Sequence, residues 1–315
     1  VNSEFENVRN GSPSSLPILI LGAGALGSAL AGALHQQGVE VILGVRPSDV
    51  VGGSNSKRRF SLKGRICGEF EISQRAATPS FLAGFPGEVW LTVRAWQLAE
   101  LPLGGLCPER TFVGSNGWVL DALVSRWGVR PAGRFTAWFG CRRTASDSFT
   151  ISDGGGLEWV QDSERTVSAL EGLQSRIFGG ERFSRMETVE WRKGVWNAAL
   201  NPLAALKGAT NGDVLEDPAF RKLFEEAVRE GVRVAQFAAR LAELTPAFPS
   251  EEEAVALLVR ATEGTAANRN SLRVDLESGR PTELPWILDP LLAKAKQGAV
   301  PVPTLVALRE RLANR

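Results

Sequence analysis

The sequence holds one histidine, His35, and no tyrosine. A catalytic pair of histidine and acid would have to use His35. That residue falls inside a predicted helix beside a glycine motif, where packing or solvent exposure is its ordinary role. A Tyr–Lys catalytic pair is impossible. A zinc site built on several histidines is excluded as well, and no metal is expected. Cysteine is scarce: Cys67, Cys107 and Cys141 lie far apart, in no C-x-x-C or metal-ligand spacing. Such an odd, scattered set indicates a reduced, intracellular chain rather than a disulfide framework. An excess of one charge is also missing, since 36 Lys and Arg face 35 Asp and Glu, for a formal net charge of +1. No basic run tracks phosphates, so nucleic acid is not an expected partner.

Two segments raise the question of membranes. Residues 1–16 are polar and lack the apolar core of a signal peptide, so a flexible tail is expected there. Residues 16–34, LPILILGAGALGSALAGAL, carry no charge over about a membrane-spanning length. Four glycines interrupt them, and a strand, a turn and a helix explain them better. No membrane association and a cytoplasmic location are the expectation.

A chain of 315 residues, 43% of them hydrophobic, has room for two ordinary domains. PILILG (17–22), VEVILGV (39–45), EVWLTVR (88–94) and TFVGSN (111–116) have the continuous apolar character of buried parallel strands. Helical patterns such as GSALAGALHQQG (27–38) alternate with them. The alternation predicts a doubly wound α/β domain over residues 17–186. Within it, residues 134–161 alternate in a β-rich pattern, which predicts antiparallel strands closing the same sheet. From about residue 187 to 315 charged, Ala- and Leu-rich segments predict an all-α domain. Its breaks fall at residues 216–218, 245–250, 279–282 and 299–304.

The segment ILGAGALG places Gly22, Gly24 and Gly27 in G-x-G-x-x-G spacing, after a predicted strand and at the start of a helix. That context gives the motif its weight. The first glycine permits a tight turn, the second lets backbone approach a pyrophosphate, and the third lets helix and strand pack closely. The helix N-terminus offers free N–H groups to the phosphates. The second strand ends at Arg46, where an acidic residue would meet a free ribose 2′-hydroxyl. A guanidinium suits a 2′-phosphate, so NADP(H) is predicted over NAD(H). An ordinary surface arginine is the alternative.

WRKGVWNAALNPLAAL (191–206) is an apolar helix that carries Lys193, Asn197 and Asn201 four residues apart. Positions i, i+4 and i+8 lie near one helical stripe. Asparagine is a poor helix former and costly to bury unpaired, and Pro202 removes an N–H. A sequence that tolerates these costs is building a site, or else a polar seam between domains. Beside a nicotinamide, the Lys193 ammonium can bond a ketone oxygen and donate a proton to it. Partial desolvation lowers the lysine pKa toward working pH. The asparagines can hold hydroxyl or carboxylate oxygens without adding charge.

With these motifs, RAWQ (94–97), SNG (115–117), CRR (141–143), NGDVLEDP (211–218) and NRNSLRVDLESGRPTE (268–283), the chain resembles the ketopantoate reductase (2-dehydropantoate 2-reductase) family. The resemblance runs from about residue 17 nearly to the end. It implies an N-terminal Rossmann domain, a C-terminal helical domain of the 6-phosphogluconate dehydrogenase type that serves substrate binding and dimerisation, and an active site between them. It also implies NADPH-dependent reduction of a small 2-oxo acid, 2-dehydropantoate in the first instance, within pantothenate and coenzyme A biosynthesis. Lys193 is implied as general acid and Glu283 as the second essential ionisable group. The implied cofactor set is Gly22, Ala23, Gly24, Ala25, Leu26, Gly27, Arg46, Arg94, Gln97, Asn116, Cys141 and Glu283. The implied substrate set is Asn116, Lys193, Asn197, Asn201, Asn211, Asn268 and Ser271, with Ser271 on the carboxylate.

Several of these residues have plainer readings. Glu283 can stabilise a helix N-terminus. Ser271 can face solvent, and Asp275, four residues on, can orient it or lie on the surface. Asn116 before Gly117 is a common turn pair. Arg142 and Arg143 are taken as strand-edge charges outside the site. The chain also departs from the family: Arg94 stands where lysine is common, Leu288 and Asp289 where Asn–Gly is common, and Val119, beside Trp118, where glycine is usual; these changes are expected to touch the walls of the cleft more than its chemistry. Two rival functions remain, a 3-hydroxy acid dehydrogenase and a non-catalytic NADP(H) sensor. A homodimer is possible.

Overall fold

The structure is a computed structural model that describes residues 16–50, 56–161 and 169–313. The expected N-terminal tail lies, up to residue 15, outside the described residues. The described strands are β1 (Ile18–Leu21), β2 (Val41–Val45), β3 (Lys57–Gly64), β4 (Gly68–Ala76), β5 (Val89–Leu91), β6 (Thr111–Val113), β7 (Gly133–Ala137), β8 (Cys141–Ala145), β9 (Ser148–Ile151), β10 (Leu157–Gln161) and β11 (Gly180–Arg182). They form one sheet in the order β11-β10-β7-β6-β5-β1-β2-β4-β3-β9-β8. The stretch from β7 to β4 is parallel throughout. All four residues of β1 are buried, as expected of a strand covered on both faces. From β1 the chain winds outward to β4, then returns to β5 on the other side of β1. The crevice at this reversal is where open α/β sheets bind ligands.

The sheet extends beyond that parallel centre. β3 pairs antiparallel with β4, a hairpin not anticipated from the sequence. In residues 134–161 the expected all-antiparallel arrangement is only partly correct. β7 runs parallel to β6, β9 runs parallel to β3, and the antiparallel pairs are β10 with β7 and β8 with β9. β8 follows β7 after three residues yet sits at the far end of the strand order. The sheet therefore curls around helix α1 (Ala25–Gln36), which packs on β1, β2, β3, β8 and β9. Residues Gly27 to Leu34 of α1 are all buried.

The remaining helices are α2 (Pro79–Gly84), α3 (Leu120–Trp127), α4 (Ala169–Leu173), α5 (Met186–Lys207), α6 (Asn211–Glu216), α7 (Pro218–Leu241), α8 (Glu251–Glu263), α9 (Ser271–Glu277), α10 (Leu284–Gln297) and α11 (Pro303–Ala313). From α5 onward every described element is helical. Local chemistry sets their starts. Asp217, Ser250 and Asn270 cap α7, α8 and α9, each accepting from a backbone N–H in the first turn. Thr210 and Asp213 form a reciprocal capping box on α6. The segment 251–279, expected to be continuous, divides into α8 and α9 because Gly264 and the capping Asn270 interrupt it. α5 is the axis of this half. It packs against α6, α7, α9, α10 and α11, and also against β7 and β10 of the sheet. No helix among the described residues is long and apolar enough to cross a membrane.

Candidate active site

A cleft of about 1810 Å³ opens between the C-terminal ends of the central strands and the α5, α6 and α9 helices. Every residue singled out from the sequence as a candidate lines it except Gly27. At its floor, the loop after β1 turns at Gly22 with φ +115°, a conformation that L side chains rarely adopt. A Cβ on Gly27 would meet the Gly22 carbonyl oxygen at 1.9 Å, whereas one on Gly24 would meet nothing within 4 Å. Gly27 thus serves close packing, and Gly24 leaves the cleft open at the N-terminus of α1. No side chain caps that terminus, so its N–H groups suit an anion. The residues present fit a dinucleotide pyrophosphate.

Cationic side chains border the same end. Arg46 follows β2, is largely exposed, and pairs with Asp49 at 2.9 Å. Arg58 from β3, unforeseen in the sequence, donates to the Ala23 carbonyl at 2.7 Å and pairs with Asp147 at 2.9 Å. It ties the glycine loop to the β8–β9 turn. Arg142 and Arg143, set aside as strand-edge charges, do lie on the edge strand β8, but both line the cleft. Cys141 lines it too, and burial pushes its thiol up to about 12, which leaves it unreactive.

The lysine row lies deep in the cleft. Lys193, Asn197 and Asn201 are 7%, 4% and 5% exposed. The Lys193 Nζ donates to the Ala137 carbonyl at 2.7 Å and lies 4.0 Å from the Trp196 ring centroid. Burial lowers its pKa to about 7; Glu158 opposes that shift and Arg134 adds to it. Desolvation prevails over the favourable ring and carboxylate contacts because ammonium hydration is lost. Asn211 opens α6 at 1% exposure. Its Nδ2 donates to Thr265 Oγ1 at 3.1 Å. Thr265 gives its own proton to carbonyls of α8, so the orientation of Asn211 is fixed and its Oδ1 is left without a partner. Asn197 Nδ2 is likewise buried and unpartnered. The deep end of the cleft therefore sets the Lys193 cation beside a free donor on Asn197 and a free acceptor on Asn211.

Glu283, 1% exposed, sits at the start of α10 but does not cap it. Its carboxylate instead accepts from Arg94 Nη1 at 2.8 Å and from the Ala95 N–H at 3.1 Å. Among the described residues it makes no ion pair with Lys193. Arg94 also faces Asp275 at 3.0 Å, and Asp275 pairs with Arg280 at 2.9 Å. Asp275 is thus neither a surface carboxylate nor the partner of Ser271, since two arginines hold it. Gln97 accepts from the Arg94 N–H at 3.0 Å and so fixes the residue that spans the two carboxylates. The planar fork gives each carboxylate its own nitrogen, Nη1 for Glu283 and Nη2 for Asp275, which gives the departure from lysine at position 94 a physical consequence. Ser271 begins α9 behind its cap Asn270. The Asn268 carbonyl accepts from the Asn211 N–H at 3.0 Å. Asn116 lines the wall beside Gly117, whose φ is +84°. The other departures lie elsewhere. Leu288 is fully buried, Asp289 pairs with Arg309 of α11, and Val119 and Trp118 pack beneath the wall. None of them lines the cleft, contrary to the expectation that they shape it. No group of three or more metal-ligating side chains occurs among the described residues.

Residues 18–112 match the family model described as Ketopantoate reductase PanE/ApbA, and residues 185–314 match the one described as Ketopantoate reductase PanE/ApbA C terminal. A 2-dehydropantoate 2-reductase of Archaeoglobus fulgidus is 24% identical over 89% of this chain and 91% of its own. The crystal structure of 2-dehydropantoate 2-reductase from Geobacter metallireducens is similar with a TM-score of 0.75 at 22% identity, covering 95% of this chain and 99% of that one. The ternary structure of D-mandelate dehydrogenase with NADH and anilino(oxo)acetate is similar with a TM-score of 0.74 at 18% identity, covering 94% and 96%.

Proposed function

Because the chain belongs to the ketopantoate reductase PanE/ApbA family of oxidoreductases, we propose that it reduces 2-dehydropantoate to pantoate with NADPH. The observation that carries this reading is the cleft's triplet of Lys193, the free Asn197 donor and the free Asn211 acceptor. A free buried acceptor calls for a hydroxyl donor on the substrate. 2-Dehydropantoate has a 2-oxo group, a carboxylate and a hydroxyl. An aryl 2-oxo acid lacks the hydroxyl and would leave Asn211 Oδ1 unpaired.

A nicotinamide held in the cleft would supply a hydride for the 2-oxo carbon, with the C=O π pair passing to the oxygen that Lys193 faces. Lys193 lends its Nζ proton to that oxygen and is reprotonated from solvent. Its pKa of about 7 matches this work near neutral pH. Asn197 and Asn201 orient the oxo and carboxylate oxygens from the same helical face, and Ser271 is assigned to the carboxylate. Arg94 holds Glu283 against the floor of the cleft, where the nicotinamide ribose would lie. The loop 22–27 and the α1 N-terminus would hold the pyrophosphate. Arg46, with Arg58, Arg142 and Arg143 on the same wall, supports a 2′-phosphate and hence NADPH over NADH. In this assignment the helical half serves as the substrate domain.

A second reading, reduction of an aryl 2-oxo acid, draws support from the likeness to D-mandelate dehydrogenase and from Trp96 and Trp196 in the cleft wall. NADPH oxidation with 2-dehydropantoate and with phenylglyoxylate, beside NADP⁺ reduction with a 3-hydroxy acid, tests the choice. The proposed reading expects the highest kcat/KM on 2-dehydropantoate. Preference for phenylglyoxylate, or turnover only of the 3-hydroxy acid, would overturn it.

A further inference from the structure

Arg134 lies in β7, 1% exposed and inside the sheet core. An apolar residue would cost nothing there, whereas a buried guanidinium costs much free energy unless its donors are used. The Nη donors are used, on the end of β6, on β7 itself and on the loop after β6. Nη1 donates to the carbonyls of Val113 at 2.7 Å and Phe135 at 2.8 Å, and Nη2 donates to that of Ser115 at 2.8 Å. Nε faces Glu190 Oε1 at 3.7 Å. The same Glu190 oxygen accepts from the backbone N–H groups of Val119 at 3.1 Å and Leu120 at 3.2 Å. The loop carrying Asn116 is thus gripped at both ends, by Arg134 before it and by Glu190 after it. Three residues further along the same two elements, Ala137 of β7 and Lys193 of α5 are joined by the Nζ bond of 2.7 Å. Two rungs therefore link β7 to α5, and one of them is Lys193 itself.

We propose that Arg134 and Glu190 are positioning residues of the active site: the pair fixes the Asn116 wall at a set distance from Lys193, and Arg134 keeps a permanent positive charge beside that lysine. The inference rests on the reading of Lys193 as the proton donor. The charges facing Lys193 are few. β7 contributes Arg134 and β10 contributes Glu158, which is bound by Arg192 of α5; Glu190, one turn before Lys193 on α5, faces Arg134. On the other elements packed against α5, Asp275 of α9 is taken by Arg94 and Arg280, and Glu230 of α7 accepts from the N–H groups of Thr304 and Leu305. Arg134 lowers the lysine pKa and Glu158 raises it. Burial pushes Glu190 up to about 7 against Arg134 and its backbone donors. Removing Arg134's charge must therefore raise the lysine pKa. Removing the negative charge of Glu190 leaves the Arg134 charge uncompensated, which acts on the lysine in the lowering direction.

The test follows the Lys193 ammonium by NMR of labelled lysine, assigned with Lys193→Arg, in the full-length wild type, Arg134→Met, Arg134→Lys and Glu190→Gln. NADPH affinity is measured alongside by fluorescence. Arg134→Met is expected to raise the Lys193 midpoint by about one unit. Glu190→Gln, which keeps an acceptor for the loop, is expected to lower it. Arg134→Lys is expected to leave it near wild type while weakening NADPH severalfold, because a single ammonium nitrogen lacks the fork that reaches the Val113 and Ser115 carbonyls from separate nitrogens. A merely structural pair would move no midpoint in variants that remain folded, and that result overturns the proposal. If Arg134→Met does not fold, Glu190→Gln decides alone, and a midpoint not below that of wild type overturns the proposal. Because no turnover is read, failure of the reductase reading would leave these midpoints measurable and would be recognised separately.

Discussion

Helices α1 and α5 are both buried along most of their length, yet they are buried for different ends. In α1 the buried run from Gly27 to Leu34 holds small and apolar residues and no charge. What it offers the cleft is backbone, the uncapped N–H groups at Gly24. In α5 the buried set includes Glu190, Lys193, Asn197, Asn201 and Pro202. What it offers is side chains, at a cost that an apolar helix would not bear. A helix that presents its end can be chemically bland along its body. A helix that presents its face carries the polar groups into the core and needs partners there, such as Ala137 and the Arg134–Glu190 pair.

That contrast can be broken first at Lys193. Lys193→Ala is expected to lower kcat by about 10²–10⁴-fold and to leave NADPH affinity close to wild type by fluorescence titration. On α1 the sensitive positions concern backbone. Gly27→Ala drives a Cβ toward the Gly22 carbonyl and is expected to destabilise the fold by about 2–3 kcal/mol in urea unfolding. Gly24→Ala, with open space around it, should cost under about 1 kcal/mol and act instead on NADPH affinity. Arg94 joins the two halves. Arg94→Met leaves Glu283 without its ion pair and Asp275 with Arg280 alone, and is expected to cost about 2 kcal/mol, reduced from a fully buried pair because the Arg94 side chain is 31% exposed. Arg94→Lys should lose about half of that, because a single ammonium nitrogen lacks the fork that gives each carboxylate its own nitrogen. Arg46→Ala is the mildest, with an expected loss of about tenfold in the preference for NADPH over NADH, read from the two kcat/KM values.

The sign of a pH effect on stability separates the helices further. Lys193 has a folded pKa of about 7 against an ordinary value of 10.5. The unfolded chain therefore binds more protons between those values, and stability rises with pH across that window. Below pH 7 the full cost of charging the buried lysine is present. Lys193→Met should abolish this rise in urea unfolding at pH 7 and pH 10, and no variant of α1 should.

The sequence makes some of this legible and hides the rest for a physical reason. The glycine loop and the row in α5 are visible because their signals are local: three glycines in a turn, and polar groups at helical spacing in an apolar run. The doubly wound centre is visible because β1, β2, β5 and β6 are continuous apolar strands. The β3–β4 hairpin was available in the alternation of Phe60 and Leu62 and of Phe70, Ile72 and Gln74, all buried, but charged neighbours such as Lys57, Arg58 and Arg59 obscured it. The partners of charges were not legible. Arg94 meets Glu283 across 189 residues, and Arg58 meets the Ala23 carbonyl across 35. Arg134 looks like any arginine of an exposed strand until β6, α3 and α5 close around it. Such pairs are set by how elements stack, and no period in the sequence reports that.

The most direct test is NADPH-linked reduction of 2-dehydropantoate across pH in wild type and Lys193→Ala. The account predicts wild-type turnover that is full below about pH 7 and falls above it as Lys193 loses its proton, with the limb absent from a variant that has lost most of its rate. Turnover by Lys193→Ala at the wild-type rate, or an unchanged limb in its residual activity, would contradict it.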